Sequence, residues 1–363
     1  MNLAIRWCAG YGLTEALPGH SSLTRIRQRW GAERFRRIFT RTVEACVAAG
    51  IAKGEVVHID SSLVRADVSW EAIARKHAAA VEASNGPSAP QAEPVCRTDP
   101  DASLATNNRA RPVEPAFEQH TAVDGEAGVV LDVAVTTGAQ HDTRDVEGQL
   151  DAVRATTGVS IRIATMDASC AITRVCAALE ARGIEAVIPA RTERPPKRGT
   201  IPVRRFKLDA KHRIVRCPAG KVLRPHGVPD SDAFQHYRAR IPDCAPCRLR
   251  AICFSTAMRR RAILLHKDHP ALLRARRKYA RRGPRERALY RRHRGRVEGV
   301  HGEAKTWHRL ARAIRRRLAN MQIQALLTAA AVNLKRLAEA VLLAPFAAIA
   351  AGPAPGSTRH RHP

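Results

Sequence analysis

Apolar residues recur at helical spacing through the first fifty positions of the chain. A short helix is predicted from Ser21 to Trp30, and Gly31 favours a break after it. The next helix carries one apolar face, formed by Phe35, Ile38, Phe39, Val43 and Cys46. Two helices around a glycine turn are typical of a helix-turn-helix and equally of a plain packing hairpin, and the pattern leaves both interpretations open.

The pattern then alternates between short apolar runs and segments of helical periodicity. Strands are predicted at 56–60, 120–124, 128–135, 161–167 and 185–188, and helices at 145–155 and 172–179. The second and third of these strands are predicted to pair with each other. Strands that alternate with helices favour an α/β fold built on a sheet.

Beyond residue 191 the alternation stops, and Pro, Arg and Cys dominate as far as residue 261. This change predicts an inserted module. Helical periodicity resumes in three segments, at 269–282, 284–310 and 314–343. Two stretches, the Pro- and Ser-rich residues 78–101 and the Pro-, Gly- and Arg-containing residues 352–363, predict flexible chain.

The net charge of the chain indicates what kind of partner it binds. The chain of 363 residues has 62 Lys and Arg against 33 acids, a net charge of +29, which predicts binding to a polyanion. Most of the excess positive charge lies between Arg259 and Arg317, a stretch that contains 22 basic residues and four acids. Its concentration favours a phosphate-facing surface over an ordinary solvated basic helix.

Composition also excludes several classes of protein. Apolar residues make up 45% of the chain, which excludes simple disorder. The chain has no run of about eighteen apolar residues, so no membrane span is predicted. The first ten residues lack the pattern of a signal peptide. We therefore expect a cytoplasmic, nucleoid-associated protein without membrane contact, whose nine cysteines are thiols or metal ligands.

Three acids are candidates for chemistry. Asp60 and Asp167 each end an apolar run, where side chains point into the crevice of an open α/β sheet. Glu298 stands among cations. Three carboxylates are suitable ligands for two Mg²⁺ or Mn²⁺ ions in phosphodiester cleavage. The structural alternatives are capping or turn roles for the two Asp residues and an exposed Arg294–Glu298 ion pair.

Four cysteines in the inserted module predict a second site. Cys217 precedes a cluster in which Cys244 and Cys247 have Cys-x₂-Cys spacing and Cys253 follows. Four thiolates satisfy tetrahedral Zn²⁺, so the module is a candidate structural zinc site. The alternative is four reduced structural cysteines. His58 and His120 lack ligand spacing and are interpreted as packed or surface residues.

The motifs together resemble bacterial insertion-sequence transposases of the DDE type. The resemblance extends from LAIRWCAGYGL through VVHIDSSLVRADV, HTAVDGEAGVVLDVAVTTGAQHD and ATMDASCAITRVCAALEARGIEAVIPAR to LLTAAAVNLKRL. It implies a ribonuclease H-like mixed sheet with flanking helices. One branch of this family carries a similar Cys-containing insertion between the second Asp and the Glu.

The resemblance also implies residue roles. Asp60, Asp167 and Glu298 correspond to the family's catalytic, metal-binding acids. The family's Tyr, Arg, Glu, Lys signature assigns Arg294, Lys305 and Tyr290 to DNA phosphates. The implied activity is metal-dependent cleavage of DNA at the ends of an element and strand transfer into a target.

The resemblance implies five parts. They are a partial helical DNA-binding region (1–52), the first part of the catalytic core (53–191), the Cys-containing insertion (192–262), basic helices that complete the core (263–343) and a flexible tail (344–363). The implied partner is double-stranded DNA, both terminal inverted repeats and target, bound by a homodimer.

Three departures from the family pattern predict a poorly active copy. Residues 167–170 read Asp-Ala-Ser-Cys where the family has Asp-x-Gly-Tyr. Tyr290 lies one residue further upstream than usual, which is about 100° around an α-helix and predicts that its ring faces elsewhere. Family members also carry further helical residues before LAIRW, so we expect an N-terminal truncation. The open alternatives are a decayed DNA-binding remnant and another ribonuclease H-like nuclease.

Overall fold

The computed structural model describes residues 3, 6, 9–68, 96, 98–106, 113–140, 143–191, 200–229, 233–255 and 257–350. Most of the predicted flexible excursion at 78–101, and residues 351–363 at the end of the chain, lie outside these residues.

A six-stranded mixed sheet organises the first half of the chain. Its strands are β1 (Val56–Arg65), β2 (Ser103–Ala105), β3 (Glu114–Asp124), β4 (Val130–Thr137), β5 (Ile163–Thr165) and β6 (Glu185–Val187). The order is β2-β3-β1-β5-β6, and β4 also pairs with β3. β1 is antiparallel to β3 and parallel to β5, and β5 is parallel to β6. The predicted ribonuclease H-like α/β fold is confirmed.

Three helices belong to this sheet region: α1 (His20–Ala48), α2 (Val146–Thr157) and α3 (Thr173–Ala181). The predicted break in α1 is present, because Gly31 has a φ of 64° and interrupts the helix. α2 ends at Gly158, whose φ of 68° provides the left-handed residue that commonly follows a helix.

The inserted region contains a second sheet that the sequence pattern did not predict. Its strands are β7 (Lys207–Asp209), β8 (Ile214–Arg216), β9 (Val222–His226), β10 (Phe234–Arg238) and β11 (Ala262–His266), all antiparallel in the order β11-β10-β9-β8-β7. Two short helices, α4 (Ile241–Cys244) and α5 (Arg250–Cys253), connect β10 to β11. This sheet has its own apolar cluster, separate from the main core.

The chain then continues in four helices. They are α6 (His269–Ala280), α7 (Pro284–His293), α8 (Gly299–Trp307) and α9 (Leu318–Ala350). A single π-helical turn, Arg294–Glu298, joins α7 to α8. α9 extends beyond the predicted end at residue 343. No helix among the described residues is both long and apolar enough to cross a membrane.

One core contains α1, α9 and the six-stranded sheet, with α1 and α9 packed against each other and α9 packed against β4. Phe39 of α1, Phe117 of β3 and Leu326 of α9 are all buried in it. A polar clamp crosses this core: the side-chain amide of Asn333 on α9 accepts a hydrogen bond from the Val130 amide at 2.8 Å and donates to the Val130 carbonyl at 2.8 Å and to Thr42 at 3.2 Å. The clamp orients α9 relative to the sheet, because every one of these groups is buried.

Candidate active site

Strand register brings the first two acids together. His58 of β1 lies directly opposite Thr165 of β5 in a parallel pair. Asp60 and Asp167 each follow two residues later, and side chains two residues apart in extended chain point to the same face. Because neighbouring strands are about 4.8 Å apart, the two carboxylates come to adjacent positions on one face of the sheet.

The position of Asp60 differs from the prediction that it ends a strand. β1 continues to Arg65, because residues 61–65 pair antiparallel with β3, and Asp60 lies opposite Thr121. The expectation of a strand end was therefore wrong for β1 as a whole. What ends near Asp60 is only the pairing of β1 with β5, whose last aligned pair is His58 and Thr165. Asp60 and Asp167 therefore lie just beyond the last aligned pair of β1 and β5.

Asp167 also caps a short turn. Its carboxylate accepts hydrogen bonds from the Ser169 amide at 2.8 Å and the Ser169 hydroxyl at 2.5 Å, at the start of the 3₁₀ turn Ala168–Cys170. Cys170, which stands where the family has Tyr, is buried in the main core. The residues that depart from the family pattern thus hold Asp167 in position and fill the core.

Glu298 lies at the end of the π-helical turn. Val297 is fully buried and anchors this turn, while the Glu298 side chain is 61% exposed. Arg294 donates to it at 3.3 Å, so the ion pair that we considered as the structural alternative is present. π-helical turns are rare and occur frequently at functional sites.

The π-helical turn also restores the register of Tyr290. A π turn contains about one residue more than an α turn, so an extra residue between Tyr290 and Glu298 rotates back into line. Burial raises the pKa of Tyr290, and Tyr279, Asp167 and Asp60 raise it further. The charges of the two aspartates therefore act on the phenol, whose ring lies edge-to-face with Tyr279. That the ring faces away from the site stays a prediction.

A chain of buried side chains underlies the acids. Nδ1 of His58 lies 2.5 Å from the Thr165 hydroxyl, which lies 3.0 Å from Nδ1 of His293. The His293 ring stacks on Tyr290 with centroids 5.7 Å apart. These contacts connect β1, β5 and α7. Residue spacing did not indicate this chain of contacts, although His58 and Thr165 each lie two residues before a predicted acid.

Both histidines of this chain are neutral at physiological pH. Burial lowers the pKa of His58 to about 3, and the nearby His293 lowers it further. Burial likewise lowers the pKa of His293 to about 4, although Asp167 and Glu298 oppose that shift. The opposing effects show that His293 lies near both acids. It therefore connects the sheet acid Asp167 with the helix acid Glu298.

The predicted phosphate-binding cations have different surroundings. Arg294 is exposed and paired with Glu298. Lys305 on α8 is partly buried; burial lowers its pKa, Glu118 raises it and Arg65 lowers it. A further basic surface lies on α6 and the start of α7, around an open depression lined by Arg274, Arg277, Lys278, Arg281 and Arg282. Two ion pairs, Arg274–Glu180 and Lys278–Glu185, attach α6 to α3 and β6.

The donor types at the three acids fit a hard divalent cation, since all are carboxylates. Their present arrangement is not a finished ligand set: within the described ranges, no three His, Cys, Asp or Glu side chains are grouped so that they could hold a metal ion. Each acid has a local partner, and Glu298 in particular is turned toward Arg294. Metal binding at this site requires Glu298 to leave that pair.

The four cysteines of the second sheet surround one small cavity of about 20 Å³, together with Leu223, Phe254 and Arg261. Burial raises the pKa of the Cys253 thiol; Arg261 lowers it, while the other three cysteines raise it. The four thiols are therefore neighbours, although, in the part of the chain that the structure describes, they too are not arranged as a metal-ligand set.

A ribonuclease H-like sheet with two aligned aspartates and a helical glutamate is the kind of framework found in a class of phosphoryl-transfer proteins. Within that class, residues 216–338, about a third of the chain, match the family described as "Transposase DDE domain". This match confirms the resemblance to DDE transposases and supports a transposase function with DNA as partner. The matched stretch contains Glu298 and the four cysteines, but not Asp60 or Asp167. No curated protein and no solved structure matches the chain.

Proposed function

We propose that the protein is the DNA transposase of an insertion sequence, which cuts DNA at the ends of the element and joins those ends to a target. The observation that carries this proposal is the parallel register of β1 and β5, which aligns Asp60 with Asp167, with His293 leading from there to Glu298. Two distant chain segments meet at one face of the sheet.

Asp60, Asp167 and Glu298 would hold Mg²⁺ or Mn²⁺. When bound, the ions supply an activated nucleophile and charge stabilisation at the phosphorus. The chain's own residues position the DNA. Tyr290, on the helix before Glu298, would offer its hydroxyl to a phosphate oxygen. Arg294, once released from Glu298, and Lys305 provide positive charge for the DNA backbone on the same helical segment.

The basic depression on α6 and α7 extends this surface for double-stranded DNA. Five cations line it, and Glu286 is the one acid among its lining residues, with its carboxylate bound to the Gly283 amide at 2.7 Å. We propose that the DNA backbone passes over this depression, that the protein acts as a homodimer on terminal repeats and target, and that it works in the cytoplasm on the nucleoid.

The test is strand nicking by the three acid variants Asp60→Asn, Asp167→Asn and Glu298→Gln. DNA carrying the inverted repeats that flank the gene serves as substrate, with Mg²⁺ or Mn²⁺. Each variant should lose at least about 100-fold in nicking rate and keep its affinity for the DNA, because charge stabilisation at the reacting phosphate is lost. Asn at position 167 still accepts the hydrogen bonds of Ser169, so folding is preserved.

Asp151→Asn is the matched control, since Asp151 is an exposed acid paired with Arg182 away from the sheet acids. It should nick at the wild-type rate. Normal nicking by any acid variant removes that residue from the site. Binding of DNA with no metal-dependent nicking by the wild-type chain would instead support a decayed DNA-binding remnant, which the Arg294–Glu298 pair favours. Preference for hybrid or branched substrates would indicate another ribonuclease H-like nuclease.

We also propose that the four cysteines bind one structural Zn²⁺. The supporting observation is that Cys217, Cys244, Cys247 and Cys253 line the same small cavity, and four thiolates are a complete ligand set for tetrahedral Zn²⁺. Metal analysis of the purified protein tests this proposal.

A further inference from the structure

A further cavity lies between α1, the loop before α9 and the start of α9. It has a volume of about 170 Å³. Its lining residues are Arg27, His308, Ile314, Arg315, Asn320, Ile323, Gln324, Leu327 and Thr328. Arg27 comes from the first half of α1, and the others come from the loop before α9 and from its first three turns.

The cavity contains two guanidinium groups and no carboxylate. Arg315 donates through one terminal nitrogen to the Thr24 hydroxyl at 2.5 Å, while its buried Nε has no hydrogen-bond partner. Within the described residues neither Arg27 nor Arg315 forms an ion pair with an acid. Acids around this region are bound elsewhere: Asp99 and Asp101 accept hydrogen bonds from the Arg317 and Leu318 amides at the start of α9, and Glu303 pairs with Lys335 and Arg336.

This arrangement is costly without an anion. Like charges in a partly buried site repel each other, and a buried donor without an acceptor loses its hydration. Burial lowers the pKa of Arg27, and the charge of Arg315 lowers it further. His308 adds a second buried nitrogen without a hydrogen bond, its Nε2, which lies 3.9 Å from the Glu303 carboxylate. An oxyanion in the cavity would satisfy the Arg315 Nε and separate the two charges.

We propose that this cavity binds one phosphate group, held between Arg27 and Arg315. The phosphate belongs to the backbone of bound DNA, and this choice of source rests on the proposed function. The cavity volume equals that of about five to six waters, which leaves room for a phosphate group. The site would attach the DNA to α1, far along the chain from Arg294 and the catalytic acids.

The first experiment tests the phosphate group itself. Thermal unfolding is measured with inorganic phosphate and with chloride at equal ionic strength, for the wild type and for Arg27→Gln with Arg315→Gln. Phosphate at about ten times its Kd should raise the wild-type Tm by about 2 °C and leave that of the double variant unchanged. The control pair Arg29→Gln with Arg309→Gln removes the same charge from exposed positions and should respond like the wild type.

The second experiment tests the source of the phosphate. Binding of a short random-sequence duplex is followed over a range of salt concentrations. Loss of one backbone contact should flatten the slope of log K against log salt by about 0.9 in the double variant, beyond any change in the control pair. Arg27→Gln alone provides a milder change if the double variant folds poorly.

The outcomes separate this proposal from the proposed function. Equal Tm responses in the wild type and the double variant overturn the phosphate site, whatever the nicking assay shows. A lost Tm response together with an unchanged salt slope overturns the DNA backbone as the source and identifies free phosphate as the ligand. Loss of both responses confirms the site, even if the acid variants show that the chain does not cut DNA.

Discussion

The two sheets of this protein are stabilised in different ways. The six-stranded sheet shares one large core with α1 and α9, to which β1, β3, β4 and β5 contribute buried side chains. The five-stranded sheet of residues 207–266 has short strands and a core of ten buried residues, two of them cysteines. A sheet with so few apolar contacts is typical of small modules that need a metal or another crosslink.

The two sheets differ in which residues their cores can accommodate. On the large sheet, Asp60 and Thr165 lie within apolar strands and Asp167 follows one, and the surrounding core tolerates them. On the small sheet, Cys244 and Cys253 occupy core positions. We therefore expect changes to the small sheet to affect local stability first, and changes to the large sheet to affect the whole molecule.

The largest expected effect concerns metal in the small sheet. Replacing Cys244 and Cys247 with Ser should remove about one Zn²⁺ per chain and abolish hydrogen-exchange protection across residues 207–266, because metal binding in such modules is coupled to folding. Exchange in the large sheet should stay unchanged. Cys176→Ser, a buried cysteine on α3, is the control and should retain the metal. A metal-free wild-type protein with a protected module would contradict the zinc proposal.

A smaller effect is expected from cavities in the two cores. Phe117→Ala in β3 should lower the free energy of unfolding by about 3–5 kcal/mol, and Leu223→Ala in β9 by about 2–5 kcal/mol. Both side chains are fully buried. The extent should differ: Phe117→Ala should accelerate exchange throughout the main core, and Leu223→Ala only within the small sheet. Equal spread of both effects would show that the two sheets unfold as one unit.

The last prediction concerns how the free energy of unfolding depends on pH. Burial lowers the pKa of His301 on α8 from 6.5 to about 3, and its Nε2 lies 3.1 Å from the Thr121 hydroxyl in β3. The unfolded chain therefore binds more protons than the folded chain below pH 6.5. Stability should fall as the pH decreases from about 6.5 toward 3, by about 1.4 kcal/mol per pH unit for this one group.

The measurement is urea unfolding of the wild type and of His301→Gln between about pH 7 and about pH 4. Gln still reaches a hydroxyl partner but does not titrate. The slope of the unfolding free energy against pH should therefore be smaller in the variant, by the uptake of about one proton on unfolding. His226→Gln, an exposed residue of the small sheet, is the control. An unchanged slope in His301→Gln would show that acid does not act through this group.

The large sheet was predictable because its strands are apolar and its helices have regular faces. The predicted pair at 120–124 and 128–135 corresponds to β3 and β4, and helix 145–155 to α2. β7 to β11 were not predicted, because only alternate residues are buried and basic or polar residues stand between them. β9, for instance, has Leu223 as its single buried residue and contains Pro225.

The candidate site was predictable only in part. Asp60 and Asp167 could be predicted because each follows a run of apolar residues that is visible in the neighbouring sequence. The link through Thr165 to His58 and His293 depends on strand register and on how α7 crosses the sheet, which residue spacing does not encode. The same holds for the cavity of Arg27 and Arg315, two residues that are 288 positions apart in the chain.

The π-helical turn at Arg294–Glu298 has a consequence for how this helix can vary between relatives. An α-helix that gains one residue normally rotates everything beyond it, which would separate Tyr290 from Glu298. Here the widened turn contains about one residue more than an α turn within five positions, and α7 and α8 continue on either side of it. A segment of this kind can gain or lose one residue by forming or losing the π turn, while the helices on either side keep their faces. Spacing alone is a poor guide to which tyrosine is equivalent in two such chains, and the position of the turn must be considered as well.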